Sequence, residues 1–228
     1  MAVRRRLALL LALFPPCAAL AQPACPAGIV ASLTVELSDP EPRILPPIRA
    51  AALGAEAGMA ASSEFPHHLG VTVSRVEWRA ELTARGRGPE GGPVCAVPTA
   101  IRIRLDHAEH SIRLAREVPR DGCLAREVLA HERRHAELNR RTLRAAAEEL
   151  RHAARAWAAR AEARAPDVGA AAVLLQDDLG RALEPVLERL RAAREAGHAQ
   201  IDTPEEYRRL SRLCPEDQRR LRAALQRG

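Results

Sequence analysis

Leu124, Val128, His131, His135, Leu138 and Thr142 recur at the three- and four-residue intervals of a single helix face. A stripe of that length demands a long amphipathic helix with something packed along it, read here from Asp121 to about Ala163. It turns His131 and His135 inward and leaves Arg133 and Arg134 to water. The two histidines belong to the pentapeptide His131-Glu132-Arg133-Arg134-His135, an HExxH pattern. Imidazoles four residues apart can put two nitrogens on one zinc ion while the intervening glutamate lies beside an open coordination position, the minimal layout of a zinc hydrolase. Two buried imidazoles without a shared partner are costly to desolvate, and a metal removes that cost. The competing reading is a pair of core histidines hydrogen-bonded to their neighbours.

The texture of the chain changes at Asp121. Before it, short alternating or β-branched runs at Ile29–Leu37, Val71–Leu82, Ala100–Leu105 and Ser111–Val118 are broken by Pro and Gly, with loops at Ser38–Pro47 and Gly86–Pro93 and a short Ala-rich helix at Ile48–Ala61. After it, Ala, Arg, Leu and Glu dominate and the apolar period becomes helical. Asp121 is the expected N-cap of the first long helix. A turn at Asp167-Val168-Gly169 leads to a second helical stretch to about Ala196, kinked or split at Gly180 and Pro185. Thr203-Pro204 opens a further helix with Thr at the N-cap, and Pro215 opens a last one. The expected class is α+β: a small antiparallel sheet in a strand-rich half, residues 22–120, packed on a helical half, residues 121–228, the two forming one catalytic unit.

Residues 1–21 carry Arg4, Arg5 and Arg6, an apolar run from Leu7 to Phe14, and Ala19-Leu20-Ala21, the layout of a cleavable export signal that leaves Gln22 as the new N-terminus. Its removal takes three arginines and no acid out of a formal charge of +6. No later segment is apolar for long enough to span a bilayer, so no stable membrane insertion is expected. Two Trp, two Phe and one Tyr offer no platform for stacking bases, which argues against nucleic acid as a partner. Export to the periplasm or beyond favours pairing Cys25, Cys95, Cys123 and Cys214 into two disulfides. If Val94–Leu105 and Ser111–Val118 form a hairpin about Asp106–His110, Cys95 comes to face Cys123, which leaves Cys25 for Cys214.

A catalytic zinc site needs a third protein ligand. The extended HExxHxxGxxH form fails, because Leu138 and Arg141 stand at its Gly and His positions. If the two long helices fold back antiparallel about residue 167, the segment Gly197–Asp202 returns to the level of the pentapeptide. His198 and Asp202 are then the candidate third ligands, with Glu205 and Glu206 one turn later. Tyr207 is the candidate hydrogen-bond donor to a developing oxyanion. His67 and His68 fall in a polar loop, His107 and His110 flank the expected hairpin turn, and His152 lies too far along the helix.

The stretch from Val128 to Glu137 and the block Ile201-Asp202-Thr203-Pro204-Glu205-Glu206-Tyr207, behind an export signal and a Cys-led strand, resemble the bacterial predicted secreted zinc-dependent proteases over roughly Val71 to Tyr207. In place of that family's downstream Thr-x-His-Gly ending the chain has Glu205-Glu206-Tyr207. The resemblance implies Zn2+ on His131 and His135 and a catalytic role for Glu132. The expected reaction is hydrolysis of an amide bond in a peptide or a cell-wall stem peptide, between which the residues do not discriminate. The alternative is a non-catalytic exported helical protein that holds zinc structurally or binds an envelope partner through its Arg-rich faces. A third reading is a periplasmic stress or adaptor protein in which HExxH is accidental.

Overall fold

Branched apolar residues alternating with arginine build the central strand of the protein. The computed structural model describes residues 24–57 and 67–227, so the expected signal segment and the end of the Ile48–Ala61 helix lie outside the described residues. In β4 (Val94–Leu114), Ile101, Ile103 and Leu105 are buried on one face. Arg102 and Arg104 between them reach Glu36 at 3.6 and 2.7 Å. Along one edge of β4 runs β3 (Gly70–Arg87), antiparallel over its whole length. Along the other edge lie β5 (Ala163–Ala165), antiparallel, then β1 (Ser32–Ser38) and β2 (Arg43–Ile44), both parallel.

The five-stranded sheet is therefore mixed, and the expectation of an antiparallel sheet is corrected at β1 and β2. Alternation tells which face a strand buries but not its direction. The chain passes through α1 (Ala50–Ala57) and β3 before it reaches β4, so β1 and β2 are not hairpin partners of the strand beside them.

A second correction concerns Asp106–His110, which is not a turn. The strand continues through it, and the register against β3 slips by one residue between His107, opposite Val76, and Glu109, opposite Arg75. This bulge at Ala108 brings His107 and His110 onto the same face, where their rings stack with centroids 4.4 Å apart. Both are buried, and so is Ser111. From sequence alone the polar run resembles a turn, because the partners that satisfy it are distant along the chain. Asp39 Oδ1 lies 3.2 Å from His107 Nδ1, and the Pro40 carbonyl 3.2 Å from His110 Nδ1. The Arg194 guanidinium lies 3.1 Å from His107 Nε2.

Without that hairpin the predicted disulfides fail. Cys95 sits at the start of β4 and bonds Cys25, with Cα atoms 4.8 Å apart, whereas Cys123 bonds Cys214, with Cα atoms 5.7 Å apart. Neither Cys95–Cys123 nor Cys25–Cys214 forms.

One face of the sheet is covered by α2 (Cys123–Ala158) and α3 (Val168–Ile201). Leu143 and Leu150 from α2 and Leu175, Leu179 and Leu183 from α3 are buried in one cluster with Ile101, Ile103 and Leu105. Truncating such a leucine to alanine costs about 2–5 kcal/mol. The α2 helix stops before the expected Ala163, where the chain turns to form β5. The split expected at Gly180 or Pro185 does not occur. Leu179, Leu183, Val186 and Leu187 keep α3 on one continuous buried stripe through both residues, and tertiary packing overrides the local propensity.

Asp121 does not cap α2. It adopts a left-handed backbone (φ 59°), and Gly122 takes the N-cap position with no side-chain bond of its own. The cap comes from Asp217 in α5 (Pro215–Leu225), whose Oδ2 accepts from the Leu124 amide at 3.0 Å beside the Cys123–Cys214 bridge. The short helix α4 (Pro204–Arg212) begins as expected, with Thr203 Oγ1 accepting from the Glu206 amide at 3.2 Å.

The buried His107 predicts how stability responds to acid. Burial, then the charges of His110 and Arg194, lower its pKa from 6.5 to about 4. Between those values the unfolded chain binds a proton that the folded chain refuses, so stability is present above pH 6.5 and is lost as pH falls towards 4. Burial shifts His110 and His198 in the same direction. Urea midpoints measured across this window should fall for the wild type, and His107→Gln should reduce the slope. An unchanged slope would show that His107 is not the group responsible.

Candidate metal centre

Helix periodicity and one close approach assemble the site. His131, Glu132 and His135 lie on the buried side of α2, with Arg133 and Arg134 exposed as the stripe requires. The end of α3 returns antiparallel to the same level. Gly197 allows this, because a Cβ there would lie 2.6 Å from the Leu138 side chain of α2. Helix α3 ends at Asp202, its C-cap residue, and the first turn of α4 follows with Glu206 and Tyr207.

Three atoms form a nearly equilateral triangle. His131 Nε2 to His135 Nε2, His131 Nε2 to Asp202 Oδ1, and His135 Nε2 to Asp202 Oδ1 each measure 3.1 Å. A tetrahedral zinc with bonds of about 2.0 Å sets its ligand atoms about 3.3 Å apart, so this donor set fits a cation of that kind. His131, His135 and Asp202 are the group suited to a metal here, and among the described residues no fourth His, Cys, Asp or Glu joins them. Of the two candidate third ligands, the structure brings Asp202 to the triangle and places His198 behind His135, with its Nδ1 2.7 Å from His135 Nδ1.

The surrounding contacts orient the three donors. Two groups face His131 Nδ1: the Arg134 guanidinium, which can only donate, at 3.0 Å, and Glu206 Oε1 at 3.4 Å. Glu206 is itself held by Arg134 and by Arg209 at 2.8 Å. Arg209 first, then Arg134 and His131, bring the Glu206 pKa down to about 2 against the opposing effect of burial. The Tyr207 hydroxyl donates to Asp202 Oδ1 at 2.9 Å. Burial, reinforced by Asp202, raises the tyrosine pKa and keeps the phenol protonated. In this arrangement the expected oxyanion donor, Tyr207, is hydrogen-bonded to the carboxylate of Asp202.

Electrostatics at the triangle favour positive charge. Burial works against a charge on either partner, yet Asp202 and the two glutamates raise the His131 pKa, while His131, His135 and Tyr207 hold Asp202 well below the carboxylate range. Two imidazole lone pairs and a carboxylate converging on one point repel unless a proton or a cation sits between them.

Glu132 lies next to this triangle and is buried. Its Oε2 accepts from Thr72 Oγ1 at 2.8 Å, and burial raises its pKa above 4.5. Gly70, at the start of β3, makes room for it: a Cβ there would lie 2.6 Å from Glu132 Oε1. Thr72, Gly70 and Asn139 carry no sequence signal for this site, apart from the position of Asn139 four residues beyond His135 on the metal-facing stripe. Glu205 is exposed and pairs with Arg208, and His152 is exposed on α2.

The triangle predicts metal uptake by the full chain. Isothermal titration with zinc should give close to one site per chain, and His135→Ala and Asp202→Ala should each abolish tight binding. Undiminished binding by Asp202→Ala would remove Asp202 from the ligand set.

Comparison of the chain with family models, with curated proteins and with solved structures finds no match.

Proposed function

We propose that the protein is an exported zinc-dependent peptidase. The observation that carries this reading is the 3.1 Å triangle of His131 Nε2, His135 Nε2 and Asp202 Oδ1 with the buried carboxyl of Glu132 beside it. His131, His135 and Asp202 would hold the ion. When bound, zinc supplies Lewis acidity that polarises a carbonyl and makes water acidic near neutral pH.

The chain's own groups do the rest. Glu132 takes a proton from the attacking water and returns it to the leaving amine, and the Thr72 hydroxyl holds its carboxyl in place. Glu206 and Tyr207 fix His131 and Asp202 so that the donors do not shift as charge develops.

A peptide substrate is favoured by β3. One edge of this strand is paired to β4 and no strand among the described residues pairs with the other, while its first residues, Gly70 to Thr72, adjoin Glu132. An extended chain is the kind of molecule that reads such an edge. Export accords with the two disulfides and the signal-like first 21 residues, and no helix among the described residues is long and apolar enough to cross a membrane.

The test separates base from ligand. Incubated with a peptide library and with cell-wall fragments, Glu132→Gln should lose turnover by on the order of 10² or more while binding zinc as the wild type does. Equal turnover by both proteins would sink the assignment of Glu132. Turnover by neither, with zinc bound, would favour a structural ion.

A further inference from the structure

Two ladders face each other across the α2–α3 interface. On α2, His131, His135 and Asn139 follow at four-residue intervals, and on α3 Arg194, His198 and the C-cap residue Asp202 do the same. The rungs pair antiparallel. His131 meets Asp202, His135 meets His198, and the Asn139 carbonyl accepts from Arg194 at 2.8 Å.

The middle of this ladder has a hydrogen-bond order that chemistry dictates. The Asn139 Oδ1 atom, 3.1 Å from His198 Nε2, can only accept, so His198 carries its proton on Nε2. Its Nδ1 is then bare and accepts from His135 Nδ1 at 2.7 Å. His135 therefore carries its proton on Nδ1, and its Nε2 lone pair faces His131 Nε2, whose N–H, with Arg134 donating to His131 Nδ1, supplies the proton between the two rings and Asp202 Oδ1. Asn139 and His135 are buried and His198 is half-buried between them.

We propose that Asn139 and His198 are positioning residues that select the metal-ready tautomer of His135, so that a divalent cation meets a preformed donor rather than an imidazole it must first rearrange. This rests on the metal reading of the triangle above. His198 is not a ligand in this scheme, although its residue type and its place opposite the pentapeptide suit one. Neutral imidazole bonded through its other nitrogen to a fixed acceptor is the usual way in which a ligand ring is oriented, and here the acceptor is a second imidazole, itself oriented by a carboxamide.

The experiment uses the full chain carrying 15N-labelled histidine, with zinc itself as the probe. Zinc dissociation constants from chelator competition should rise about 10–100-fold in His198→Phe and Asn139→Leu and stay within about threefold of wild type in Asn139→Asp, which keeps an acceptor. The imidazole nitrogen spectra of metal-free wild type should show His198 protonated on Nε2 and His135 on Nδ1, and Asn139→Leu should lose that single pattern. Circular dichroism keeps folding separate from affinity. Wild-type affinity in folded His198→Phe and Asn139→Leu would overturn the proposal. So would His198 protonated on Nδ1, or a loss beyond about 10³-fold in His198→Phe, which marks direct ligation. If the wild type takes up no zinc, the metal reading fails by itself, and with it the proposal's purpose for the relay, while the nitrogen spectra still decide whether its proton order exists.

Discussion

The antiparallel contact between α2 and α3 at Leu138 and Gly197 governs everything around the candidate centre. Two long helices that meet without a side chain at one point of contact bring their backbones close, and close backbones let short polar side chains bridge them. His131 to Asp202, His135 to His198 and Asn139 to Arg194 are rungs of that one approach. Leucine packing further along the same pair, from Leu143 and Leu150 to Leu179 and Leu183, holds the register. Polar chemistry at one end of the interface is stabilised by apolar chemistry at the other.

The sheet contributes in a different way. Its start supplies Thr72 and the open space at Gly70 that receive Glu132, and its bulge at Ala108 brings two histidines to one face beneath the helices. Arg194 joins the two systems. It donates to Ser74 of β3, to Thr142 and the Asn139 carbonyl of α2, and lies against His107 of β4, and its burial lowers its own pKa to about 10. A half-buried guanidinium with that many partners is a strong constraint on where the sheet sits relative to the helices.

What could be read from the residues was what local periodicity dictates. The stripe from Leu124 to Thr142 carries the orientation of His131, Glu132 and His135, and folding the helices back at residue 167 brings His198 and Asp202 to the right level. Direction and continuity of strands were not legible. Alternation is the same in parallel and antiparallel neighbours, and a polar run such as Asp106–His110 looks like a turn until Asp39, Pro40 and Arg194 are seen to satisfy it. The expected Cys95–Cys123 bridge depends on a hairpin there, and with the strand continuous Cys95 pairs with Cys25 and Cys123 with Cys214. The role of Asn139 was equally hidden, since one polar residue on a helix face declares nothing until its partner is known.

The cap that Asp217 places on α2 has a consequence for the order in which the molecule can be completed. The helix that carries the pentapeptide begins at Cys123, yet the carboxylate that satisfies its first turn and the cysteine that tethers it come from residues 217 and 214. A nascent chain emerges in the opposite order, so the histidines are made long before the groups that anchor their helix. A polypeptide interrupted before that stretch would carry every candidate ligand and still lack the clasp at the helix start, which makes the late-synthesised segment a check on the integrity of everything translated ahead of it.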